Sequence, residues 1–230
     1  MHWTTVFFGF SKAFDLVNHK RLMQKLKKLL PSYLTSWIAE WLSDRKQRVK
    51  CGNTYSLWEL VVAGVIQGSV LGPILFLMYI SDINEYLPAG AYHPKYADDI
   101  LAYSTFIDIL DDHTQQSIDG MAIWSKENHM RLNTIKTQHM IISKKQQQST
   151  QQLTATLNDI DLKRVEKYEY LGVVLNNNMN YDAQWEVTSS KTNPHIYLLK
   201  KLRRMGFTEN KLVCVYKSLT LSQYIYGAPC

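Results

Sequence analysis

Two adjacent aspartates, Asp98 and Asp99, lie between two apolar segments and constrain the fold of this chain more than any other feature. Residues 92–97 and 100–103 have the composition of strands, and aspartate favours tight turns, so we expect a hairpin with both carboxylates at its tip. Two negative side chains at one tip repel each other unless a cation holds them. Because Mg²⁺ binds one or two carboxylates together with water and phosphate, the pair is a candidate metal site. A solvated turn that happens to contain two aspartates is the alternative interpretation.

The composition indicates a folded domain with a basic character. Of the 230 residues, 46% are hydrophobic and 20% are charged, which is enough apolar material for a large core. The formal net charge of +6 suits a polyanionic partner such as nucleic acid. Cys51, Cys214 and Cys230 are widely spaced and match neither a zinc site nor a disulfide framework, which favours a reduced, intracellular protein of the nucleus or cytoplasm.

No segment is predicted to direct the chain to a membrane. The N-terminus lacks the basic start of a signal peptide. Residues 60–80 carry no charge and are long enough to span a bilayer. However, Gln67, Ser69 and Pro73 lie in the centre beside helix-weakening glycines, so we predict a glycine-rich loop and then a buried helix that ends near Tyr86.

The rest of the chain alternates short strands with amphipathic helices. Strands are predicted over residues 4–10, 47–51, 55–62, 137–143 and 170–175, and a further hairpin is predicted over residues 153–168. Helices are predicted over residues 19–30, 32–42, 109–130, 182–204 and 208–226, with Asn18 and Asp108 as N-caps of the first and third. The glutamine-rich run 144–152 is predicted to be an exposed loop.

Five motifs, in order, resemble those of reverse transcriptases from non-LTR (LINE-like) retrotransposons. They are the Phe-Ser-Lys-Ala-Phe-Asp-Leu-Val-Asn-His segment 10–19, the glycine-glutamine-glycine turn and helix 64–79, the Tyr-Ala-Asp-Asp (YADD) segment 96–99, Trp124 with residues 133–137, and Tyr-Leu-Gly at 170–172. The resemblance implies an α+β polymerase palm over residues 1–178, with an antiparallel sheet and helices packed on one face. It implies a partial helical thumb over residues 179–230.

The same resemblance implies a nucleotidyltransferase, an RNA-directed DNA polymerase. Such an enzyme adds deoxynucleoside triphosphates to a DNA primer on an RNA template and uses two Mg²⁺ (or Mn²⁺) ions. The implied site residues are Asp98 and Asp99 as metal ligands, Lys136 as a proton donor to pyrophosphate, Phe14 as a sugar gate, Gln67 and Gly68 beside the templating pair, and Tyr170, Leu171 and Gly172 as the primer grip. Taken alone, Phe14 also fits an ordinary core residue and Lys136 an exposed turn lysine.

Two departures from the family pattern predict impaired or absent activity. Gly9 stands where the family has an aspartate that bridges both metals, and Asp15, six residues on, lies beyond the strand end. Only eight residues precede Gly9, so we expect the fingers region, and any endonuclease region of a longer parent protein, to be missing. An aspartate at position 9 is expected to improve metal binding.

Two other interpretations stay open at this point. One is a catalytically inactive nucleic-acid-binding remnant, which would use the basic helical tail and a set of basic residues nearer the N-terminus. That set is Lys25, Lys27, Lys28, Arg45, Lys46, Arg48 and Lys50. The other is a decayed gene copy with no selected function.

Overall fold

The computed structural model describes residues 2–107, 111–143 and 153–228. In chain order its elements are β1 (His2–Phe8), α1 (His19–Leu29), α2 (Ser32–Leu42), β2 (Lys46–Gln47), β3 (Lys50–Cys51), β4 (Thr54–Tyr55), β5 (Glu59–Leu60), α3 (Leu71–Tyr79), a 3-10 helix (Ser81–Tyr86), β6 (Lys95–Tyr96), β7 (Asp99–Phe106), α4 (Thr114–Glu127), β8 (Gln138–Ser143), β9 (Thr156–Leu157), β10 (Ile160–Asp161), β11 (Lys163–Arg164), β12 (Lys167–Tyr170), β13 (Val173–Asn176), α5 (Asp182–Arg204), α6 (Glu209–Val215), a π-helical segment (Tyr216–Leu221) and α7 (Ser222–Ile225).

The chain divides into two compact units. The first contains residues 1–141 and 146–164, and the second contains residues 142–145 and 165–230. Residues 165–178, which the sequence assigned to the palm, therefore belong to the same unit as the helical tail. The assignment of the two units as palm and thumb stays a prediction.

The first unit is built on a five-stranded sheet with the order β11-β8-β1-β7-β6. Strand β1 is central because its apolar residues, including Val6 and Phe8, are almost fully buried. It pairs antiparallel with β7 from His2 opposite Phe106 to Phe8 opposite Ile100. The expectation of a wholly antiparallel sheet is wrong at one edge, where β8 and β11 pair parallel. Nineteen residues separate these two strands, which is long enough for the crossover that parallel pairing requires.

Two helices of the first unit begin beside side chains that accept backbone N–H groups. The side chain of Asn18 accepts a hydrogen bond from the Arg21 N–H at 3.0 Å and starts α1, as predicted. Helix α4 begins at Thr114, later than expected, and there the Asp112 carboxylate accepts the Thr114 N–H at 3.1 Å. The predicted cap Asp108 and the predicted loop 144–152 lie outside the described residues.

The uncharged segment 60–80 forms a loop and a short helix, as predicted, but the helix is buried on one side only, with Ile74 and Leu77 about half exposed. Helix α3 ends at Tyr79 rather than Tyr86, because the backbone tightens into a 3-10 helix from Ser81 onward. Within the described residues, no helix combines the length and the apolar character needed to cross a membrane.

A buried polar network lies in the core of the first unit. The Lys25 ammonium donates hydrogen bonds to the Asp82 carboxylate at 2.7 Å and to the Tyr79 carbonyl at 2.6 Å. It lies 4.7 Å from the centre of the Tyr79 ring and 5.2 Å from that of Trp124, whose indole N–H donates to Asp82 at 2.8 Å. Burial lowers the pKa of Lys25, although the hydrogen bond and charge of Asp82 oppose this. Lys25 is therefore a structural residue and not part of a nucleic-acid-binding surface.

The second unit combines one hairpin with a helical segment. Residues 170–175, predicted as one buried strand, instead form the turn and second strand of the β12–β13 hairpin, because Leu171 and Gly172 adopt positive φ angles of 49° and 78°. Helix α5 has the bounds that the sequence predicts, and Gly206 follows it with φ 85°. The predicted helix 208–226 is divided into α6, the π-helical segment and α7.

Candidate active site

The two aspartates lie on the β6–β7 hairpin, as the sequence predicts, but they do not share its tip. Tyr96 pairs with Asp99, so the two-residue turn is Ala97-Asp98, with Ala97 at φ 52°. Asp98 is therefore a turn residue, whereas Asp99 begins strand β7. A two-residue turn with positive φ matches the right-handed twist of the flanking strands and keeps both carboxylates at the same end of the hairpin.

The electrostatics of the hairpin favour a cation. Partial burial raises the pKa of Asp99, and the neighbouring charge of Asp98 raises it further. Both effects are modest, because the side chain of Asp99 is exposed and water screens the repulsion. A divalent cation beside the pair would remove the repulsion and favour the ionised carboxylates.

The sheet register brings position 9 to the acidic hairpin. Phe8 pairs with Ile100 at the end of β1, so the next step of the same register places Gly9 opposite Asp99. Residues opposite each other in an antiparallel pair are separated by about 5 Å between α-carbons. The register therefore places position 9 at the end of the sheet where Asp99 begins β7.

The segment 133–137 closes over Gly9. The Gly9 carbonyl accepts a hydrogen bond from the Asn133 N–H at 2.8 Å, and the Gly9 N–H donates to the Thr137 hydroxyl at 3.2 Å. A β-carbon added to Gly9 would lie only 2.4 Å from the β-carbon of Lys136. Lys136 itself is exposed, and its N–H is held by the Asn133 side chain at 3.1 Å. Segment 133–137 therefore leaves no room for a side chain at position 9.

The remaining predicted nucleotide-site residues lie on neighbouring segments of the same unit. The Phe14 ring stacks on Phe76 with 4.3 Å between centroids, so it is also part of the core. The Gln67 amide donates a hydrogen bond to the Asp15 carboxylate at 3.0 Å. Gly68 has φ 80°, a conformation that glycine adopts without strain.

Gln67 and Asp15 line an open cleft of about 830 Å³. The other lining residues come from segment 10–19, from residues 45–47 and from residues 61–66, which lead into the glycine-rich turn. They are Lys12, Arg45, Lys46, Gln47, Val61, Ala63, Gly64, Val65 and Ile66. Sequence reasoning considered Asp15 only as a replacement metal ligand and missed its place beside Gln67. Asp15 lies in segment 10–19 and Gln67 in segment 64–79, so both side chains were visible in the sequence, but their contact depends on the tertiary fold.

The predicted primer grip is the tip of the β12–β13 hairpin in the second unit. The Tyr226 hydroxyl donates a hydrogen bond to the Leu171 carbonyl at 2.6 Å, and its ring would contact a β-carbon at Gly172. Tyr226, which follows α7, was not predicted, because nothing in the sequence signals a contact over this separation. The tip is therefore supported from one side by the end of the helical segment.

The donor set at the acidic hairpin suits one metal ion better than two. Across residues 2–107, 111–143 and 153–228, no group of three histidine, cysteine or acidic side chains that could hold a metal is found. Asp98 and Asp99 fit a Mg²⁺ ion whose other ligands are water and substrate phosphates. Gly9 adds no third carboxylate, so a pair of ions would have to share the same two side chains.

The mixed α/β fold is similar to that of two solved telomerase structures. The apo telomerase of Candida tropicalis, truncated from its C-terminal domain, superposes with a TM-score of 0.54 at 14% identity and covers 78% of this chain and 35% of its own. The same organism's telomerase in complex with the TWJ fragment of telomeric RNA gives a TM-score of 0.51 at 12% identity, with 79% and 30% coverage.

The sequence makes the assignment more specific. The family model described as reverse transcriptase (RNA-dependent DNA polymerase) matches residues 1–175, and the chain belongs to that family. It is 30% identical to the probable RNA-directed DNA polymerase from transposon BS of Drosophila melanogaster, over 96% of this chain and 26% of that protein. It is 27% identical to the RNA-directed DNA polymerase from the mobile element jockey of the same fly, over 96% and 25%. The recognition of a non-LTR reverse transcriptase domain is thus confirmed, and the chain spans about a quarter of the length of these relatives.

Proposed function

We propose that this chain is the palm-containing part of an RNA-directed DNA polymerase from a non-LTR retroelement, and that it has little or no polymerase activity. Its partners in that role are an RNA template, a DNA primer and deoxynucleoside triphosphates. The single observation that carries the proposal is the combination of two adjacent aspartates on the hairpin with a glycine at position 9, where Lys136 leaves no space for a side chain.

The proposed chemistry divides among the residues of the first unit. Asp98 and Asp99 would hold a Mg²⁺ or Mn²⁺ ion, which when bound supplies charge neutralisation for the triphosphate. Phe14 is held in place by its stack on Phe76, and a fixed ring suits a gate that excludes a ribose 2′-hydroxyl. Lys136 is exposed and its β-carbon lies beside position 9, which suits a proton donor to the leaving pyrophosphate.

The nucleic-acid contacts of the proposal come from two turns. Gln67 and Gly68 would lie against the templating pair, since the positive φ of Gly68 brings backbone to the surface without a side chain. Tyr170, Leu171 and Gly172 would grip the primer, and the contact from Tyr226 to the Leu171 carbonyl stabilises this hairpin tip.

Loss of activity follows from the missing shared ligand. The two carboxylates supply two negative charges, whereas two divalent ions carry four positive charges. Without a third carboxylate, two ions would have to share Asp98 and Asp99, which leaves each ion with fewer protein ligands. We therefore expect the rate of nucleotide addition to fall by orders of magnitude relative to a palm with all three acids.

Primer extension tests the proposal directly. Oligo(dT) annealed to poly(rA) is incubated with the protein, dTTP and either Mg²⁺ or Mn²⁺, and the matched control is Asp98→Asn. We expect no extension above that of the control with either metal. Robust synthesis that disappears in Asp98→Asn would overturn the claim of lost activity, while leaving the family assignment intact.

A second candidate function is nucleic-acid binding without catalysis. The observation in its favour is the exposed set of basic residues at positions 46–50, namely Lys46, Arg48 and Lys50, together with the half-buried Arg45 just before them. Phosphate contacts of this kind release counterions, so binding must weaken steeply as the salt concentration rises. Salt-independent binding, or none at low salt, would exclude this function.

A further inference from the structure

The most unusual surface of the first unit is the hairpin segment formed by residues 45–62. Strands β3 and β4 pair at its tip and β2 and β5 pair at its base. Between them, Val49 and Ser56 exchange two hydrogen bonds of 2.9 Å, one through the backbone and one through the serine hydroxyl. Hydrogen bonds therefore hold the two sides of the hairpin together along its length, although most of its side chains are exposed to solvent.

Two exposed aromatic rings on this hairpin are bracketed by cations. The Arg48 guanidinium lies 4.0 Å from the centre of the Tyr55 ring and 4.5 Å from that of Trp58. The Lys50 ammonium lies 5.5 Å from the Tyr55 ring. Tyr55 is 46% exposed and Trp58 is 57% exposed, so both rings retain free surface. Cation–π contacts of this kind orient the rings but do not remove them from water.

Charge is concentrated in the same segment. Residues 45–62 contain four basic residues and one acidic residue, which is half of the net charge of the whole chain in eighteen residues. At its base, Arg45 and Lys46 line the 830 Å³ cleft together with Lys12 and Gln67. A basic, aromatic hairpin thus leads into a basic cleft within the same unit.

We propose that the hairpin of residues 45–62 is a stacking platform for single-stranded RNA. Bases would stack on Tyr55 and Trp58, phosphates would contact Arg48 and Lys50, and the strand would continue towards the cleft. Aromatic rings interleaved with cations are the combination that single strands require, because every base has a π-face and every linkage a negative charge. Binding of an apolar protein segment is less favourable, because it would remove water from four cations of the hairpin and offer no negative charge in return.

The choice of RNA rests on the proposed function, whereas the platform itself needs neither a metal ion nor a side chain at position 9. The measurement is therefore made in EDTA, where polymerase activity is absent. If the platform is wrong, either oligo(U) does not bind in EDTA or Trp58→Ala leaves its affinity unchanged, whatever the outcome of primer extension. If the claim of lost activity is wrong, extension succeeds and the binding result is unaffected.

Fluorescence anisotropy with a labelled twelve-nucleotide oligo(U) tests the platform. Trp58→Ala should weaken binding about tenfold, since stacking on one aromatic side chain contributes about 1–3 kcal/mol per base. The matched control is Trp37→Ala, because Trp37 lies on α2 and is equally exposed at 56%. Trp58→Phe keeps an aromatic face and should retain most of the affinity, and thermal unfolding of each variant verifies its fold.

A second pair of variants tests the charge. Arg48→Gln should weaken oligo(U) binding and reduce the slope of log K against log salt by about 0.7, the value for one phosphate contact on a single strand. Arg131→Gln removes an exposed arginine elsewhere in the unit and should leave affinity unchanged. Equal losses for Trp58→Ala and Trp37→Ala, an unchanged affinity in Trp58→Ala, or binding of oligo(dT) but not of oligo(U), would each overturn the proposal.

Discussion

Substitution of Gly9 by aspartate introduces the residue that the proposed function expects at this position, and the structure predicts that it will destabilise the protein rather than restore activity. The new β-carbon would lie 2.4 Å from the Lys136 β-carbon, 3.1 Å from the Lys136 carbonyl carbon and 3.3 Å from its α-carbon. Carbon atoms at 2.4 Å cannot coexist, so residues 133–137 would have to move. That movement strains the hydrogen bonds from Asn133 and to Thr137 that hold Gly9.

The magnitude follows from the cost of overpacking. Inserting a side chain into a closed site costs about 1–3 kcal/mol. For a chain of this size, each kcal/mol lowers the melting temperature by about 2–4 °C, so we expect a decrease of about 2–12 °C. A third carboxylate beside Asp98 and Asp99 adds repulsion, which a divalent ion would relieve. The expectation that Gly9→Asp improves metal binding therefore requires the 133–137 segment to open first.

Gly9→Ala separates the collision from the charge. If the site had space, alanine would stabilise the protein by about 0.4–1 kcal/mol, because it reduces the entropy of the unfolded chain. A collision with Lys136 reverses the sign. Calorimetry of the protein, of Gly9→Ala and of Gly9→Asp in EDTA measures this directly, and an alanine variant at least as stable as the parent would refute the reasoning.

A background variant identifies the partner in the collision. Lys136→Gly removes the β-carbon that lies 2.4 Å away. In that background Gly9→Ala should be less destabilising than in the parent, which gives a favourable coupling energy in a double-mutant cycle. Additive effects would mean that Lys136 is not the obstacle. In primer extension, Gly9→Asp alone should give no gain in synthesis. Gly9→Asp with Lys136→Gly can admit a third carboxylate, but it also removes the proposed proton donor, so Mn²⁺ binding and not synthesis is its measurement.

Three further predictions concern stability. The pKa of Asp99 is raised in the folded protein, so its ionised form destabilises the fold, and this cost disappears as pH falls through that pKa. Asp99→Asn should therefore stabilise the protein by about a few tenths of a kcal/mol at pH 7 in EDTA, and not at pH 3. Calorimetry at the two pH values measures the difference. Lys25→Met strands the Asp82 carboxylate and should cost about 2–3 kcal/mol in urea unfolding, partly recovered by adding Asp82→Leu. Gly120→Ala should cost about 1–3 kcal/mol despite better helix propensity, because its β-carbon would lie 2.0 Å from the Tyr86 carbonyl oxygen; equal or greater thermal stability would contradict this.

Local sequence signals predicted the elements whose residues interact with near neighbours. Asn18 caps α1 through a side chain that reaches only three residues ahead, so the start of this helix was visible in the sequence. The hairpin that carries Asp98 and Asp99 was equally visible, since two strand-like segments meet at a short turn. The prediction of one strand through residues 170–175 was wrong because the positive φ of Leu171, a residue with no turn preference, made a hairpin there.

Long-range contacts decided what the sequence left open. Lys25 belongs to a basic run in the sequence, and only the positions of Asp82 and Trp124 reveal it as a buried cation. Likewise, the sequence gives no sign that Arg48 contacts Tyr55 and Trp58, because strand pairing in the hairpin is what brings these side chains together.

The sequence by itself determined the lineage and the acidic hairpin, and it identified position 9 as a glycine, because motif order and residue identity are properties of the chain alone. Only the tertiary structure showed that Lys136 covers Gly9, since residues 127 positions apart meet there through the packing of segment 133–137 against the end of β1. Steric exclusion depends on distances between atoms, and those distances exist only in the folded protein.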